Sequence, residues 1–333
     1  MKTSAFTLLT LAAAHAGAAA PLTAQEVLTQ FNLVTLGNAV SASHVDGRSF
    51  IGGSALGGEY AGHPNDIKAS SYAGLTVKGS AENIKVNSNG AVVEGSLKFS
   101  TVNGGTTAVL DGANGNNFNG PAYIVGPKSN NNYNGGQLSQ APASVAAANG
   151  TDFGAVIGGL STSLSQLAST GSTVTLNGNK ATFSAVANSQ GLAVFNLTSI
   201  DSQVFAKGEF DFQWNGASTV IFNVDEASLT FASNFLGGSA ASAGTKAIWN
   251  FYNATDLTIN NQFGGVLLAP LAKLTNNQNI EGTVLVKQLD QRGEIHIANF
   301  AGNISAVPEP QTYALLLAGL VLVAGVAGRR SRR

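Results

Sequence analysis

Short runs of alternating apolar and polar residues recur along the chain, and glycine, asparagine, aspartate or serine bounds nearly every run. This two-residue period is that of β-strands. Asn-Gly corners such as Asn89-Gly90 and Asn215-Gly216 recur between the runs. Short strands at this density occur in sandwiches and in solenoids; no strict repeat period can be read, but the small residues favour the stacked coils of a parallel solenoid. Examples are Leu75–Lys78, Ala91–Glu94, Val174–Leu176, Leu192–Leu197, Thr219–Val224 and Gly282–Val286.

Composition narrows the class of protein further. Charged residues make up 11% of the 333 residues and 44% are hydrophobic, which is not the composition of a disordered chain. There is no cysteine, so disulfides and thiolate zinc sites are excluded. Five of the 17 basic residues lie in residues 1–20 and 311–333, which leaves 12 basic against 18 acidic residues between them. That negative balance argues against nucleic acid as a partner.

One segment has the periodicity of a helix. Apolar residues recur at spacings of three or four between Thr151 and Ser169, Thr151 or Asp152 can cap the start, and Gly171 can end it. The pattern predicts one long helix that packs along the β structure. The segment Asn114–Gly136, rich in asparagine and glycine, is predicted to be an irregular excursion. The helical stripe consists of Phe153, Val156, Ile157, Leu160, Leu164 and Leu167.

Both ends of the chain carry signals for export. Residues 1–20 have the parts of a secretory signal peptide, with cleavage after Ala16, Ala18 or Ala20. At the other end, sixteen uncharged and mostly apolar residues, 313–328, are predicted to form a single C-terminal transmembrane helix. The arginines after it would stay in the cytoplasm, so the preceding ectodomain, residues 21–306, lies outside. These membrane-orienting residues are Arg329, Arg330, Arg332 and Arg333.

Residues 307–333 resemble the PEP-CTERM sorting signal, which combines the motif Pro308-Glu309-Pro310 with a short transmembrane helix and a terminal arginine cluster. The resemblance implies an exported protein of a Gram-negative bacterium that makes exopolysaccharide. It also implies cleavage near the motif by a membrane-embedded exosortase, with the membrane as a partner at least transiently. Retention of the uncleaved tail, and the final attachment to the envelope, the outer surface or the matrix, stay open.

The ectodomain resembles the choice-of-anchor A family near both of its ends, over residues 31–302 as a whole. The resemblance implies an adhesin-like domain with an all-β fold, a right-handed parallel β-helix (solenoid) of the ice-binding type that carries one long helix alongside. The family has no established catalytic residues, so none carries over. The matching elements are Gly37-Asn38, Gly47-Arg48, Gly52-Gly53, Asn250-Phe251, Gly265–Pro270, Ile280–Val284 and Gly293–Ile297.

The residues of these motifs are predicted to be structural. Glycines suit the corners of coils, where the backbone turns sharply. Pro270 suits a strand end at a sheet edge, because proline cannot donate a ladder hydrogen bond. The glycines in question are Gly52, Gly53, Gly282 and Gly293.

Four groups of titratable residues are candidates for chemistry, and each has a simpler structural interpretation. Neither His44 with Asp46 nor His63 with Asp66 has a third ligand at the spacing of a metal site. The carboxylates two apart on one strand face could form a glycosidase pair, yet such pairs are common on exposed sheets. We therefore predict no catalytic, cofactor-binding or metal-binding residue and no cofactor. The groups are His44 with Asp46, His63 with Asp66, Glu294 with His296, and Glu209 with Asp211.

The leading functional hypothesis is a non-enzymatic surface or extracellular-matrix protein, an adhesin or an exopolysaccharide-associated biofilm component. Flat faces of serine, threonine and asparagine would bind through many weak contacts that add up to avidity. One alternative is a polysaccharide-active β-helix enzyme, which the presence of only Arg48 and Arg292 in the ectodomain disfavours. Ice binding is another, although no sustained Thr-x-Thr ladder can be read. The ligand and the oligomeric state are not specified by the sequence.

Overall fold

In the first half of the chain, every coil contains three short strands, one on each of three faces of a solenoid. The computed structural model describes residues 20–304. Consecutive coils pair in parallel, so that Leu33, Ser49, Leu75, Ala91 and Thr107 form one column. The strands are β1 Leu33–Thr35, β2 Ala39–Ser41, β3 His44–Val45, β4 Ser49–Ile51, β5 Ala55–Leu56, β6 Glu59–Tyr60, β7 Leu75–Val77, β8 Ala81–Glu82, β9 Lys85–Val86, β10 Ala91–Val93, β11 Leu97–Lys98, β12 Thr101–Val102, β13 Thr107–Val109, β14 Ala113–Asn114, β15 Asn117–Phe118, β16 Ala122–Ile124, β17 Lys128–Ser129 and β18 Asn132–Tyr133.

The second half of the chain forms wider coils that narrow along the stack. Paired residues are 27 apart between β23 and β26, as for Val220 and Ala247. The separation falls to 18 between β26 and β29 and to 17 between β29 and β31, against 16 between most coils of the first half. The strands are β19 Thr173–Asn177, β20 Lys180–Ser184, β21 Leu192–Asn196, β22 Glu209–Gln213, β23 Thr219–Val224, β24 Ser228–Phe231, β25 Asn234–Phe235, β26 Ala247–Phe251, β27 Asp256–Ile259, β28 Phe263–Gly264, β29 Val266–Asn276, β30 Ile280–Glu281, β31 Val284–Gln291 and β32 Ile295–His296.

The chain begins in the middle of this solenoid. Strand β31 pairs with β1, which places Val284 beside Leu33, and it also pairs with β2, which places Leu289 beside Ala39. The first half therefore builds outward from the middle to β16–β18. The chain then returns, and the second half fills the other side from β19 back to β32. We call the junction between β1–β3 and β31–β32 the seam.

Helices connect the two halves and cover one face. The helices are α1 Ala24–Gln30, α2 Ala143–Ala147, α3 Phe153–Ser165, α4 Asp201–Phe205 and α5 Ser239–Gly244, with a 3-10 turn at Leu236–Gly238. The predicted long helix is confirmed as α3, capped by Asp152, whose side chain accepts a hydrogen bond from the amide of Ala155 at 3.0 Å. Its apolar side and that of α1 pack on outward residues of β1, β4, β21, β23, β26, β29 and β31. This is the covered face.

A ladder of asparagines fastens α3 to the covered face. Asn250 is buried; its amide donates to the carbonyl of Ser161 at 2.9 Å and to Oδ1 of Asn223 at 2.9 Å, and its own Oδ1 accepts from the Ser161 hydroxyl at 2.6 Å. Asn223 in turn donates to the carbonyl of Leu164 at 2.7 Å and to Asn196 at 2.9 Å. Each of these asparagines follows an aromatic residue, and the pairs recur every 27 residues in the sequence, as Phe195-Asn196, Phe222-Asn223 and Trp249-Asn250.

The interior changes character along the stack because the coils change width. Small aliphatic residues such as Val77, Val93 and Val109 fill the narrow coils. The wide coils need larger side chains, and there Trp249 stacks on Phe222 with ring centroids 4.0 Å apart. Aromatic rings prefer such offset or edge-on arrangements, which add to the burial of their apolar area.

The predicted corner glycines are confirmed. A Cβ on Gly52 would lie 2.4 Å from the carbonyl oxygen of Leu36, and one on Gly293 would lie 2.4 Å from the carbonyl of Gln278. Equally close approaches occur at Gly53 and Gly282. These residues are glycine because the neighbouring coil passes too close for any side chain.

Two sequence predictions about local structure are wrong. The segment Asn114–Gly136 is not an irregular excursion but continues the regular coils through β14–β18, because its asparagines pair with one another between coils. Pro270 does not lie at a sheet edge. It lies inside β29, between neighbours β26 and β31, where the register shifts between Ala269 and Lys273 and a ladder donor is not required.

The predicted signal peptide, apart from Ala20, and the sorting tail with its transmembrane helix lie outside the described residues. No helix within residues 20–304 is long and apolar enough to cross a membrane.

Replacing Asn250 with alanine is expected to lower the free energy of unfolding by about 2–3 kcal/mol, because it leaves the buried Ser161 hydroxyl and Oδ1 of Asn223 without partners. Asn103→Ala is the control, since Asn103 belongs to an exposed ladder and should change stability by roughly 0.5 kcal/mol or less. Urea unfolding followed by circular dichroism measures both. Equal losses in the two variants would contradict the fastening role.

Candidate functional site

One face of the solenoid keeps its outward side chains exposed or half-buried, and we call it the open face. It consists of β2, β5, β8, β11, β14, β17, β24, β27 and the second halves of β29 and β31. Residues at matching positions form a straight column across the seam, because every strand is parallel and in register. The column reads Thr230, Thr258, Thr275, Asp290, Val40, Leu56, Glu82, Lys98, Asn114 and Ser129.

A shallow trough of about 320 Å³ lies on the open face beside the seam. Its floor holds Val40 and Leu56, which are 48% and 47% exposed although both are large and apolar. Serine hydroxyls form one wall, with the hydroxyl of Ser96 donating to Oγ of Ser80 at 3.2 Å. Glu82 and Lys98 continue the floor. The trough thus combines an aliphatic strip with hydroxyl groups and charges of both signs.

Three threonines lie in register on the open face at the wide end of the stack. Thr230, Thr258 and Thr275 occupy successive strands, and they are 28 and 17 residues apart in the chain. The neighbouring outward column contains Asp256 and Lys273 instead of threonines. The face therefore carries one short threonine column and not a double one.

The third face, which we call the narrow face, carries asparagine ladders. The amide of Asn103 donates to Asn87 at 3.1 Å, that of Asn119 donates to Asn103 at 3.1 Å, and that of Asn134 donates to Asn119 at 2.7 Å. Each side-chain amide donates a hydrogen bond to an asparagine of the adjacent coil, so these side chains stabilise the stack. They replace, at the surface, the bonds that water would otherwise make.

At the seam, the narrow face brings together three histidines and three carboxylates, which lie as far apart in the sequence as residues 44 and 296. Nε2 of His44 lies 3.5 Å from Oδ1 of Asp46 and 3.8 Å from Oε2 of Glu294. His296 contacts Glu281 through Nδ1 at 2.8 Å and Glu294 through Nε2 at 2.6 Å. The third histidine, His63, places Nδ1 3.3 Å from Oδ2 of Asp46. We call these six residues the seam cluster.

The contacts of the seam cluster shift the pKa of two of its members. Burial lowers the pKa of His296, but its hydrogen bonds to Glu294 and Glu281 raise it by more, so the net shift is upward. The hydrogen bond from His296 is the largest cause of a lowered pKa at Glu294. Each ring nitrogen of His296 thus contacts a carboxylate oxygen. The prediction of a simple pair of His296 and Glu294 missed Glu281 and His44, since register across the seam cannot be read from the sequence.

The predicted carboxylate pair, Glu209 and Asp211, lies on one face of β22 as expected, but one of the two carboxylates is paired with a lysine. Phe210 between its members is buried, and Asp211 pairs with Lys180 on the adjacent strand at 3.3 Å. A different pair of carboxylates interacts more strongly. Burial, followed by a hydrogen bond with the buried Asp201, raises the pKa of Asp225.

The two arginines of the ectodomain have structural surroundings. Arg48 is buried, and burial lowers the pKa of its guanidinium to about 10. It fastens α1 and the long connection between β6 and β7 to the coil. Arg292 is exposed and pairs with Asp290 at 3.0 Å. The backbone carbonyls that accept from Arg48 are those of Gln30, Lys68, Tyr72 and Ala73.

The predicted sorting residues lie outside residues 20–304, so their geometry is not described. They are Pro308, Glu309 and Pro310, with the membrane-orienting Arg329, Arg330, Arg332 and Arg333.

Comparison with known proteins finds two family models along the chain. The first, described as "Putative Ice-binding-like adhesive domain", matches residues 24–297, and the second, described as the PEP-CTERM protein-sorting motif, matches residues 306–333. Both resemblances predicted from the sequence are therefore confirmed. No curated protein and no solved structure was found to match the chain.

The raised pKa of His296 predicts how stability depends on pH in metal-free protein. Its contribution is complete below the ordinary histidine value of about 6.5 and is lost as the pH rises through the higher folded-state pKa. Glu294 acts in the opposite sense, because its contribution is complete above about 4.5 and is lost as the pH falls through its lowered folded-state pKa.

Thermal unfolding in EDTA between pH 4 and 9 tests this dependence. We expect the melting temperature to fall more steeply above about pH 6.5 in the wild type than in His296→Gln. Parallel curves for the two proteins would contradict the assignment.

Proposed function

We propose, since the chain belongs to the family of ice-binding-like adhesive domains, that it is a non-enzymatic adhesin or biofilm component whose open face binds exopolysaccharide. Its sorting motif indicates export to the cell envelope or surface and implies processing by an exosortase. On this proposal the signal peptide covers residues 1–20, the adhesive ectodomain covers residues 21–306, and the tail, residues 307–333, is removed or anchors the protein. We take the winding of the coils as right-handed, the hand of nearly all parallel crossovers.

The trough on the open face is the observation that carries the proposal. A sugar ring has apolar C–H faces and a rim of hydroxyls, so a complementary surface needs an exposed aliphatic strip beside hydrogen-bonding groups. Val40 and Leu56 supply the strip, and the hydroxyls of Ser54, Ser80 and Ser96 supply the rim. Large apolar side chains that stay exposed next to polar groups are typical of binding surfaces.

The length of the open face supports a polymeric rather than a small ligand. Its column continues from Val40 to Ser129 in one direction and from Asp290 to Thr230 in the other. Neighbouring strands are about 4.8 Å apart, so the ten positions span roughly 43 Å. A chain of sugars lying along this column would make many weak contacts at once, and the sum would set the affinity.

Ice binding is a second candidate, because Thr230, Thr258 and Thr275 are in register. The column ends after these three positions and continues with Asp290 and Val40. Charged neighbours bind water in their own geometry, so we rank this candidate below polysaccharide binding. A polysaccharide-active enzyme ranks below both, since the trough contains Glu82 and no second carboxylate among its lining residues.

Leu56→Asp is expected to weaken binding to the exopolysaccharide of the producing bacterium by at least about tenfold, because the substitution places a charge on the aliphatic strip. Leu271→Asp is the matched control, since Leu271 is 53% exposed and lies in β29 outside the trough. Glycan-array binding followed by titration calorimetry measures affinity, and release of reducing sugars is followed in parallel. Equal weakening in both variants would contradict the trough as the binding site, and sugar release by the wild type would overturn the non-enzymatic assignment.

Deletion of residues 307–333 is expected to release the protein from the envelope and to reduce biofilm cohesion, because the deletion removes the sorting motif together with the predicted anchor. Cell fractionation and a shear assay of the biofilm measure these effects. Alanine replacement of Pro308, Glu309 and Pro310 is the matched control, and it should block processing while the protein stays in the membrane. Unchanged retention and cohesion after the deletion would contradict the sorting role.

A further inference from the structure

The seam cluster gathers every histidine of the described residues in one place. His44 comes from β3, His296 from β32, and His63 from the connection after β6. These elements meet only because the first and last coils pair at the seam. A β stack does not require converging histidines for its stability, because asparagine ladders join the neighbouring coils by hydrogen bonds.

Three members of the seam cluster have the geometry of a metal ligand set. His44, Glu294 and His296 each offer one ligand atom, and these atoms lie within 4.8 Å of one another. A tetrahedral ion with bonds of about 2.1 Å places its ligand atoms roughly 3.4 Å apart. Nε2 of His44 and Oε2 of Glu294 are 3.8 Å apart, whereas Nε2 of His296 and Oε2 of Glu294 are 2.6 Å apart and share a hydrogen bond. An ion would therefore replace the proton between His296 and Glu294 and separate these two atoms by about 0.8 Å.

A second carboxylate already orients the ring of His296 for ligation. Nδ1 of His296 lies 2.8 Å from Oε1 of Glu281 and Nε2 lies 2.6 Å from Oε2 of Glu294, so a neutral ring that donates from Nδ1 to Glu281 presents Nε2 to an ion beside Glu294. Metal-binding histidines nearly always donate their other ring N–H in this way. Glu281 comes from β30, the strand adjacent to β32, so its position depends on regular pairing and not on a flexible loop.

A buried oxygen of Asp46 supplies an independent observation. The side chain of Asp46 is 3% exposed, and its Oδ1 accepts no hydrogen bond within the described residues. Its Oδ2 accepts from the amide of Ile297 at 3.3 Å. A buried carboxylate oxygen without a partner is costly unless a positive charge lies nearby. Oδ1 lies 3.5 Å from Nε2 of His44, so a cation bound to that nitrogen would lie near this oxygen.

The geometry points to a binding site for a divalent transition-metal ion, Zn²⁺, with His44 Nε2, His296 Nε2 and the Glu294 carboxylate as ligands. Glu281 acts as a positioning residue, and the carboxylate of Asp46 adds negative charge beside the ion. Two imidazoles and one carboxylate suit Zn²⁺, whereas Ca²⁺ and Mg²⁺ prefer shells made of oxygen. The ligands are 28–39% exposed, so an ion can enter from solvent and keep a water molecule as its fourth ligand.

Such an ion would fasten the seam on the face where its pairing is shortest. Strands β3 and β32 share a single register pair, Val45 with Ile295. A metal bond from residue 44 to residues 294 and 296 would close a loop of nearly the whole ectodomain. The ion binds only the folded arrangement, so its binding free energy adds to stability in proportion to its concentration.

The test uses the exported protein, purified without a histidine tag and dialysed against EDTA. Titration calorimetry with ZnCl₂ should show saturable binding of one ion per chain, and the melting temperature should rise with ZnCl₂ but not with CaCl₂. His44→Gln and His296→Gln should each weaken binding by at least about 100-fold. Replacement by Co²⁺ should give visible absorption bands of a tetrahedral site that both variants lose.

His63→Gln is the matched control, because His63 is the histidine outside the ligand set. Its Zn²⁺ affinity should stay within about threefold of the wild-type value. Matching circular dichroism spectra in EDTA establish that each variant folds, so a loss of binding cannot be assigned to unfolding. Absence of saturable Zn²⁺ binding in the folded wild type would overturn the proposal, as would equal losses in all three histidine variants or an equal response to Ca²⁺.

Discussion

The pairing of the first coil with the last is the interaction on which the rest of the structure depends. Leu33 lies beside Val284, so strands about 250 residues apart must meet before the solenoid is continuous. Without this pairing, β1 and β31 would each expose an unpaired edge in the middle of the molecule. The same arrangement requires the chain to return from one end to the other. Helix α3 lies on the covered face between the two halves, and the asparagines beneath it satisfy its carbonyls.

Local features of this fold could be predicted from the sequence, whereas long-range register could not. The spacing of Phe153, Ile157 and Leu160 predicted the helix, and glycine positions predicted the corners. No single repeat period runs through the whole chain because the coils change from 27 to 18, 17 and 16 residues, and the 27-residue spacing of the aromatic-asparagine pairs was not recognised. The seam cluster was missed for a related reason. His44 and Glu294 become neighbours only through a seam that joins distant parts of the chain, and no local spacing records that pairing.

The three faces of the solenoid differ in their outward side chains and in what these side chains contact. The covered face carries mostly apolar residues on its outer side, which α1 and α3 bury, together with the asparagine ladder that bonds to α3. The narrow face holds asparagine ladders that satisfy one another, together with the seam cluster. The open face keeps Val40 and Leu56 exposed beside serine hydroxyls, and no helix of the described residues covers this trough. An exported protein without cysteine thus obtains its rigidity from stacking, and under the proposed function its one long open surface is the adhesive one.

A disulfide across the seam tests the central claim most directly, and the absence of natural cysteines makes the result unambiguous. Val40 and Asp290 are register partners on adjacent parallel strands, which lie about 4.8 Å apart and within disulfide range. The chain carrying Val40→Cys and Asp290→Cys should form an intramolecular disulfide on mild oxidation and melt at a higher temperature. The pair Val40→Cys and Asn114→Cys, four strands apart on the same face, should not. No disulfide in the first pair, or equal formation in both, would contradict a solenoid whose chain begins in its middle.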